Sequence, residues 1–177
     1  IRDRVRMDNP DVTRLPIPTS WPQDGGPFMT LPLVVTSDPE TGVHNLGMYR
    51  SQVFGPDEVG LHWQKHKHGA DHAEASEDRM PVAICLGGPP QVIFSAISPL
   101  PDNLSEYEFA GLLSGRRLKI TKCLTNDLWV PADCDFVIEG YTLPSERRME
   151  GPFGDHFGHY SCLLYTSPSP RDHQPSR

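Results

Sequence analysis

The amino-acid sequence predicts a mainly β domain with short helices, an α+β arrangement built as a barrel or a sandwich. The chain has 177 residues, which is the length of one domain with a core of its own. Its 19 prolines and 15 glycines are scattered without a period, so they place turns at short intervals and exclude long helices. Many short strands joined by tight turns fit this composition best.

The first half of the sequence predicts a hairpin that follows a turn-rich entry segment. Residues 16–27 contain four prolines and a Gly-Gly pair, which prevent a continuous helix or ladder. Residues 28–36 are rich in Leu, Val and Thr and predict a strand. The turn sequence D-P-E-T-G at 38–42 then joins this strand to a second strand, predicted at 43–54.

The second half of the sequence predicts further strands and one helix. The predicted strands lie at 80–86, 91–96, 117–123 and 135–142. The first two flank a G-G-P-P turn and are expected to pair with each other. Residues 105–113 predict a helix, because Ser105 and Glu108 have the spacing of a capping box.

Charge and composition exclude several classes of function. Lys and Arg number 16 against 23 Asp and Glu, a formal net charge of −7 with no basic run, so nucleic acid is not an expected partner. No stretch approaches the roughly 18 apolar residues that a membrane span needs. The four cysteines lie far apart without a C-x-x-C pair, so neither a structural zinc site nor a redox dithiol is predicted. With no secretory leader at the start, a cytoplasmic protein is expected.

Both ends of the sequence differ from its body. The chain opens with I-R-D-R rather than an initiator Met, so it is expected to be a fragment of something longer. Residues 162–177 show no hydrophobic period and resemble a tail produced when adapter DNA is translated, which predicts a non-native or disordered segment. Residues 1–161 are then the predicted domain.

The densest cluster of metal-ligating side chains is the sequence H-W-Q-K-H-K-H-G-A-D-H at 62–72. His62 with His66, or His68 with His72, would meet a metal ion from one face of a helix, because residues four apart lie on the same side. The H-E-x-x-H pattern is absent and a glycine interrupts the segment. A solvated loop with incidental histidines is the alternative.

Arg50 lies among apolar residues of the second predicted strand, so its guanidinium is expected to need a carboxylate or phosphate partner. Strand alternation places Asn45 and Arg50 on opposite faces, because their separation is odd. A bulge at Gly47, or a ligand at the rim of both faces, would be needed to bring them together. The alternative is an arginine paired with a structural acid across the sheet.

Two carboxylates, Glu150 and Asp155, lie five residues apart in the sequence E-G-P-F-G-D. The glycines let the backbone approach a ligand closely, and Pro152 limits the freedom of the loop. A carboxylic acid that donates a proton at neutral pH needs a raised pKa, which a neighbouring carboxylate or an apolar wall supplies. Together with an arginine, the two acids would make an acid–base set, and an acidic surface turn is the alternative.

Four segments, taken in order, resemble a known family. They are L-P-I-P-T-S-W-P-Q-D-G-G-P-F at 15–28, N-L-G-M-Y-R at 45–50, H-W-Q-K-H-K-H-G-A at 62–70 and E-G-P-F-G-D-H-F-G-H-Y at 150–160. In order and spacing they resemble the UbiD-type decarboxylases, which use a prenylated flavin. The resemblance extends along nearly all of residues 1–161. It implies a split β-barrel that binds the flavin, the central portion of a larger multidomain enzyme truncated at both ends.

The resemblance implies a prenylated FMN whose phosphate is held through Mn²⁺, with a monovalent cation such as K⁺ nearby. The metal ligands that it implies are Asn45, His68 and Glu106, and oxygen and imidazole donors suit Mn²⁺. The residues that it implies along the flavin and its phosphate are Met48, Tyr49, Arg50, His62, Trp63, Gln64, Lys67 and His68. Without the resemblance, Glu106 is explained as an acid that favours the first turn of a helix.

The resemblance also implies a non-oxidative decarboxylase, a carboxy-lyase of an aromatic or α,β-unsaturated acid, with a polyprenyl-hydroxybenzoate of quinone synthesis as one such acid. It assigns the catalytic set to Arg50, Glu150 and Asp155. Asp155 would donate the proton, while Arg50, paired with Glu150, would orient the substrate carboxylate and hold the cofactor in its active state. The implied partners are the small-molecule acid, a flavin prenyltransferase that supplies the cofactor, and further copies in a homo-oligomer. A polyprenylated substrate would bring the protein to the periphery of a membrane.

Two other functions stay open from the residues alone. A noncatalytic flavin-binding or phosphate-binding barrel would retain a cofactor without turnover. A metallohydrolase built on the histidines at 62, 66, 68 and 72 would hold zinc and would not need Arg50.

Overall fold

The computed structural model describes residues 6–63, 68–76, 78–101, 104–143 and 146–161, and the backbone alone of residues 164–166. Its elements are, in chain order, a 3-10 helix at Val12–Arg14, β1 at Phe28–Met29, β2 at Leu33–Ser37, β3 at His44–Met48, β4 at Ser51–Val53, β5 at Val59–Leu61, α1 at His68–Ala75, β6 at Met80–Leu86, α2 at Pro90–Ser95, α3 at Glu106–Ser114, β7 at Ile120–Lys122, β8 at Trp129–Pro131, β9 at Phe136–Thr142, β10 at Arg148–Glu150, β11 at Phe153–Gly154, β12 at Tyr160–Ser161 and β13 at Leu164–Thr166. The predicted class, mainly β with short helices, is confirmed.

The strands pair antiparallel in five sheets. The largest has the order β3-β2-β6-β9, and a second has the order β1-β4-β5. Three two-stranded ladders join β7 with β8, β10 with β13 and β11 with β12. Over the described ranges, these sheets are not closed into one continuous barrel.

Strand β2 of the four-stranded sheet is buried on both faces. Along β2, Leu33 and Val35 belong to one hydrophobic cluster and Val34 belongs to another, because neighbouring side chains alternate across a strand. The first cluster includes Val92 of α2 and residues of α3 and β8, and the second includes Ala70 of α1 and residues of β5. β2 is therefore packed on both sides, and its partner strand β3 leads directly to Arg50.

Two predicted strands each divide between two sheets. Residues 28–36 form β1 and β2, separated around Pro32, which has no backbone N–H to donate to a ladder. Residues 43–54 form β3 and β4, interrupted next to Arg50. β2 and β3 form the predicted hairpin, whereas β4 pairs with β1 and β5. Alternation along one strand therefore does not relate Asn45 to Arg50, because Arg50 lies between two strands.

The strand predicted at 91–96 is wrong, because Pro90–Ser95 is the helix α2. Pro90 occupies the start of this helix, where the missing N–H is not needed and the fixed φ suits the helix. β6 pairs with β2 and β9 instead. The strands predicted at 117–123 and 135–142 are observed as the shorter β7 and as β9.

The predicted helix at 105–113 is confirmed as α3, and its capping box is complete. Ser105 Oγ accepts from the Glu108 N–H at 3.2 Å, and Glu108 Oε2 accepts from the Ser105 N–H at 3.2 Å. Gly115 follows the helix with a φ of 65°, the left-handed conformation that glycine adopts most easily. Of the helices in the described ranges, none is both long enough and apolar enough to cross a lipid bilayer.

Strand β13 lies within residues 162–177, the segment that the sequence assigns to a tail. Its backbone pairs antiparallel with β10, so that Leu164 lies opposite Glu150. Residues 162, 163 and 167–177 lie outside the described residues. The boundary of the domain at 161 therefore stays a prediction.

Candidate active site

Arg50 and Glu150 form a buried ion pair between segments 100 residues apart. Arg50 Nε donates to Glu150 Oε1 at 2.9 Å, and Arg50 Nη2 donates to Glu150 Oε2 at 2.8 Å. The Glu150 side chain is 0% exposed and the Arg50 side chain is 19% exposed. Two parallel hydrogen bonds give such a pair a fixed geometry. The guanidinium for which the sequence requires an anionic partner is thus paired with a carboxylate.

The short β11-β12 ladder holds the other side of the Arg50 guanidinium. Arg50 Nη2 also donates to Ser161 Oγ at 3.2 Å, and Ser161 Oγ donates to the Phe153 carbonyl at 3.2 Å. The central carbon of the guanidinium lies 4.7 Å from the centre of the Phe153 ring, within cation–π range. Because Phe153 pairs with Ser161 in the ladder, one hairpin supplies both contacts.

His62 is the third member of this buried group. Its ring Nδ1 lies 2.8 Å from Glu150 Oε2, and its backbone N–H donates to the Arg50 carbonyl at 3.2 Å. His62 directly follows β5, in which Leu61 pairs with Ser51 of β4. The β4-β5 ladder therefore places His62 beside Arg50, and side chains from both contact the same carboxylate.

The pKa of Glu150 lies below its ordinary value although the side chain is buried. Burial by itself raises the pKa of a carboxyl group, because it disfavours the charged form. Hydrogen bonds from Arg50 and His62, together with the charge of Arg50, lower the pKa of Glu150 and outweigh burial. Glu150 is therefore ionised at neutral pH and is suited to holding Arg50 rather than to donating a proton.

The loop that follows Glu150 touches the turn-rich entry segment at two glycines. A Cβ added to Gly25 would lie 2.4 Å from Gly151 Cα, and a Cβ added to Gly151 would lie 2.5 Å from Gly25 Cα. Gln52 bridges them, since its Nε2 donates to the Gly25 carbonyl at 2.9 Å and its Oε1 accepts from the Gly151 N–H at 2.8 Å. The two backbones are in direct contact, so glycine is required at both positions.

The entry segment also fixes Gly154. Asp24 Oδ1 accepts from the Gly154 N–H at 2.8 Å, and Asp24 Oδ2 accepts from the N–H groups of Trp21 at 2.8 Å and Ser20 at 3.1 Å. The Trp21 ring covers Gly154, because a Cβ added there would lie 2.4 Å from the indole. Trp21 in turn contacts Tyr160 edge to face, with ring centroids 5.6 Å apart. A segment predicted only as turns thus supports the loop of the candidate acids.

Asp24 and Gln52 are site residues that sequence reasoning missed. Their contacts to the loop join positions 130 and 99 residues apart, so no local pattern indicates them. The one available signal is that Asp24 lies in the first of the four segments that resemble the decarboxylase family.

Asp155 lies in the turn between β11 and β12, and its carboxylate caps that turn. Asp155 Oδ1 accepts from the Phe157 N–H at 2.9 Å and from the His159 N–H at 3.2 Å. The hydrogen bond from the His159 amide, followed by that from Phe157, lowers the pKa of Asp155. Among the described contacts, none joins Asp155 to the pair of Arg50 and Glu150. Asp155 is therefore an ionised turn residue in this conformation.

A cavity of about 520 Å³ lies beside β3, and all three residues implied as metal ligands line it. Asn45 belongs to β3, His68 is the first residue of α1, and Glu106 is the first residue of α3. Glu106 Oε2 accepts from the Leu46 N–H at 3.3 Å, which joins α3 to β3. Three segments distant in sequence thus converge on one cavity.

The side-chain amide nitrogen of Asn45 is buried and has no hydrogen-bond partner among the described residues. The residue is 5% exposed, and its Nδ2 makes no hydrogen bond to the described part of the chain. Rotation of the carboxamide by half a turn exchanges its two ends, so Asn45 can present an oxygen at that place. An amide oxygen, an imidazole and a carboxylate fit Mn²⁺. No three His, Cys, Asp or Glu side chains of the described ranges could together hold a metal ion, so a site here needs the carboxamide.

The residues implied along the flavin lie partly on the same cavity. Met48 and Tyr49 line it, and Trp63 contacts Tyr49 with ring centroids 4.9 Å apart. Burial raises the pKa of Tyr49, so its phenol stays protonated at neutral pH. Gln64 and Lys67 lie outside the described residues.

The histidines of the 62–72 cluster have different partners. His62 contacts the buried ion pair, whereas Nδ1 of the buried His72 lies 2.9 Å from Thr36 Oγ1. Burial lowers the pKa of His72. His68 is exposed beside the cavity, and His66 lies outside the described residues. His62 and His72 therefore bind different partners in separate parts of the fold.

The comparison with protein families decides the family of this chain. The model for the Rift-related domain of UbiD, 3-octaprenyl-4-hydroxybenzoate carboxy-lyase, matches residues 2–166. The chain belongs to the UbiD family. A curated relative, an uncharacterized protein of Archaeoglobus fulgidus, is 49% identical over 152 residues, which cover 84% of this chain and 32% of that protein.

Solved structures of UbiD-class enzymes share the fold. An evolved dimeric form of HmfF from Pelotomaculum thermopropionicum, in complex with prFMN, matches with a TM-score of 0.84 and 34% identity over 90% of this chain and 38% of that one. The closed form of vanillic acid decarboxylase from Sedimentibacter hydroxybenzoicus matches with a TM-score of 0.80 and 38% identity over 86% of this chain and 34% of that one. Apo AroY, the 3,4-dihydroxybenzoic acid decarboxylase of Klebsiella pneumoniae, matches with a TM-score of 0.79 and 27% identity over 92% of this chain and 36% of that one. The chain thus spans about a third of the length of these relatives.

Proposed function

We propose that this chain provides the cofactor-binding and acid–base residues of a prenylated-FMN-dependent carboxy-lyase of aromatic or α,β-unsaturated carboxylic acids. The observation on which the proposal depends is the buried pair of Arg50 and Glu150, held next to the E-G-P-F-G-D loop. Relatives named as a prFMN complex and as decarboxylases of vanillic and dihydroxybenzoic acid support it. A 4-hydroxy-3-polyprenylbenzoate is included among the candidate acids because the matching family model bears that activity in its description.

Asn45, His68 and Glu106 are the residues that would hold Mn²⁺ in the cavity beside β3, with K⁺ as the monovalent cation. A divalent cation there would neutralise the cofactor phosphate in a chain whose net charge is −7. When bound, the prenylated flavin supplies an electron sink for the electron pair left behind as carbon dioxide departs. A flavin prenyltransferase would supply this cofactor.

Arg50 would orient the carboxylate of the substrate. Among the described residues, its side-chain hydrogen bonds use Nε and Nη2. A guanidinium has five N–H donors, so the Nη1 group is left to face a second carboxylate. Glu150, ionised and buried, would keep Arg50 in place while that substrate group binds and leaves.

Asp155 would deliver the proton. The bond between the substrate carbon and its carboxylate breaks, carbon dioxide leaves, and a C–H bond forms with a proton from the acid. The amides of Phe157 and His159 keep Asp155 ionised in the described conformation. Loss of these two hydrogen bonds next to an apolar substrate would raise the pKa of Asp155, so the turn is expected to open first. The carboxylate would then take up a proton from solvent and pass it to the substrate carbon.

The replacement Asp155→Asn in the complete gene product, expressed with a flavin prenyltransferase, is expected to reduce carbon dioxide release roughly 100-fold, because an amide has no acidic proton to give. Asp38→Asn is the matched control, since Asp38 also caps a turn, with Oδ1 accepting from the N–H groups of Glu40 at 2.8 Å and Thr41 at 3.0 Å. The control is expected to keep wild-type activity.

Wild-type activity in Asp155→Asn would contradict the role of this acid. A wild-type protein that retains the flavin but releases no carbon dioxide from any aromatic or unsaturated acid would contradict the proposed function. That second outcome would favour a noncatalytic flavin-binding protein.

A further inference from the structure

His62 is tied to the ion pair through both its backbone and its ring. The family resemblance implies a place for His62 along the flavin, yet the ring Nδ1 contacts Glu150 Oε2 at 2.8 Å. The backbone N–H of His62 donates to the Arg50 carbonyl at 3.2 Å, and the residue is 7% exposed. The ring therefore has a specific partner within the protein, and that partner also binds Arg50.

The chemistry of Glu150 decides which ring nitrogen of His62 bears the proton. An ionised carboxylate has no hydrogen to donate, so the group that faces it at hydrogen-bond distance must be a donor. Nδ1 of His62 must therefore carry the hydrogen. When the His62 ring is neutral and Nδ1 carries its hydrogen, the free lone pair lies on Nε2.

A third donor restricts the ion pair in a way that Arg50 alone does not. Two parallel hydrogen bonds fix the guanidinium relative to the carboxylate, but the two side chains can still move together. His62 is anchored to the β4-β5 ladder by its backbone, so its ring ties Glu150 to that ladder. Arg50 and Glu150 are then fixed relative to the β4-β5 ladder as well as relative to each other.

We infer that His62 is a positioning residue for the pair of Arg50 and Glu150, donating from Nδ1 to Glu150 Oε2 so that the Arg50 guanidinium keeps the position from which it would bind the substrate carboxylate. The effect on turnover rests on the proposed function. The hydrogen bond and its effect on Arg50 do not depend on the proposed function. Both are measured on the chain without cofactor.

The tautomer of His62 is the first test. In the 177-residue chain labelled with ¹⁵N at its imidazole nitrogens, the His62 Nδ1 signal is expected to be that of a protonated nitrogen at neutral pH, and Glu150→Leu is expected to change it. The His72 signals are expected to stay as in wild type. A His62 ring with Nδ1 unprotonated would overturn the inference, whatever the activity of the protein.

Exchange of the Arg50 Nε–H with solvent is the second test, and it separates positioning from general stability. His62→Leu is expected to speed this exchange about tenfold, because one hydrogen bond to a charged group is lost. His62→Asn is expected to restore most of the protection, since its Nδ2 can donate from nearly the same place as Nδ1. The control is His72→Leu, which removes an equally buried histidine bonded to Thr36 and is expected to leave Arg50 unchanged.

Turnover in the complete, cofactor-loaded protein is the third test. His62→Leu is expected to lower kcat about tenfold with KM nearly unchanged, and His62→Asn to recover most of it. Equal Arg50 exchange in His62→Leu and wild type would overturn the inference, as would a failure of His62→Asn to recover. Altered exchange with no carbon dioxide release from wild type would refute the proposed function while leaving the hydrogen bond established.

Discussion

Replacing Arg50 with leucine is expected to lower the free energy of unfolding by about 3–5 kcal/mol, because it leaves a buried carboxylate without its counter-charge. Glu150 is 0% exposed and accepts two of its hydrogen bonds from Arg50, so only His62 would remain as a donor among the described side chains. A loss of this size is a large share of the 5–15 kcal/mol that stabilises a typical domain. Denaturant unfolding at neutral pH measures it.

Arg6→Leu is the control for this substitution. Arg6 pairs with Asp8 at 2.6 Å, but the two side chains are 59% and 75% exposed, so the loss is expected to be at most about 1 kcal/mol. Similar losses for the Arg50 and Arg6 variants would show that the buried pair does not stabilise the fold.

The pH dependence of the Arg50→Leu variant gives an independent check. In wild type the pKa of Glu150 is lowered, so its contribution to stability is complete above its ordinary pKa of 4.5 and is lost as the pH falls through the lowered value. Without Arg50, burial is expected to raise the pKa of Glu150, so acid would protonate the carboxyl and stabilise the variant. The difference in unfolding free energy between the two proteins is therefore expected to shrink as the pH falls, and a constant difference would contradict this cause.

Replacing Gly151 with alanine is expected to cost about 3 kcal/mol of unfolding free energy, the upper end of the range for overpacking a dense site. The added Cβ would lie 2.5 Å from Gly25 Cα, and Gln52 holds the backbone of Gly25 and that of Gly151 by one hydrogen bond each. Relief would require the entry segment to move away from the loop. The same unfolding experiment measures this loss.

Gly140→Ala is the matched control for the glycine substitution. A Cβ at Gly140 in β9 meets nothing within 4 Å, so this variant is expected to be as stable as wild type or up to about 1 kcal/mol more stable. If Gly151→Ala unfolds like Gly140→Ala, the contact between the entry segment and the loop does not constrain the site.

The sequence predicts those parts of the fold that local chemistry determines. The capping box of Ser105 and Glu108 and the turn at 38–42 are both observed, because their hydrogen bonds join residues two to four positions apart. The G-G-P-P run at 87–90 predicts a turn between two strands, but its last proline begins α2, since proline both breaks strands and begins helices. Nothing in the local sequence indicates that the strand predicted at 43–54 changes sheets next to Arg50.

The sequence alone indicates Arg50, Glu150 and Asp155 as candidate residues, but only the family resemblance predicts which of them pair. The contacts of Glu150 with Arg50 and His62 join residues 100 and 88 positions apart, and those of Gln52 with Gly151 join residues 99 apart. Spacing along the chain contains no information on such contacts. The resemblance brought Arg50 and Glu150 together, but it implied a place along the flavin for His62 and no role for Gln52.

The absorbance spectrum and metal content of the complete gene product, expressed with a flavin prenyltransferase, test the proposed function most directly. We expect flavin absorbance with bound Mn²⁺ in wild type, and the loss of both in Asn45→Ala, because the cavity beside β3 then lacks its carboxamide. Asn126→Ala removes a turn-capping carboxamide, whose Oδ1 accepts from the Leu128 N–H at 3.0 Å, and is expected to retain both. Zinc without flavin absorbance would contradict the proposal and favour a metallohydrolase.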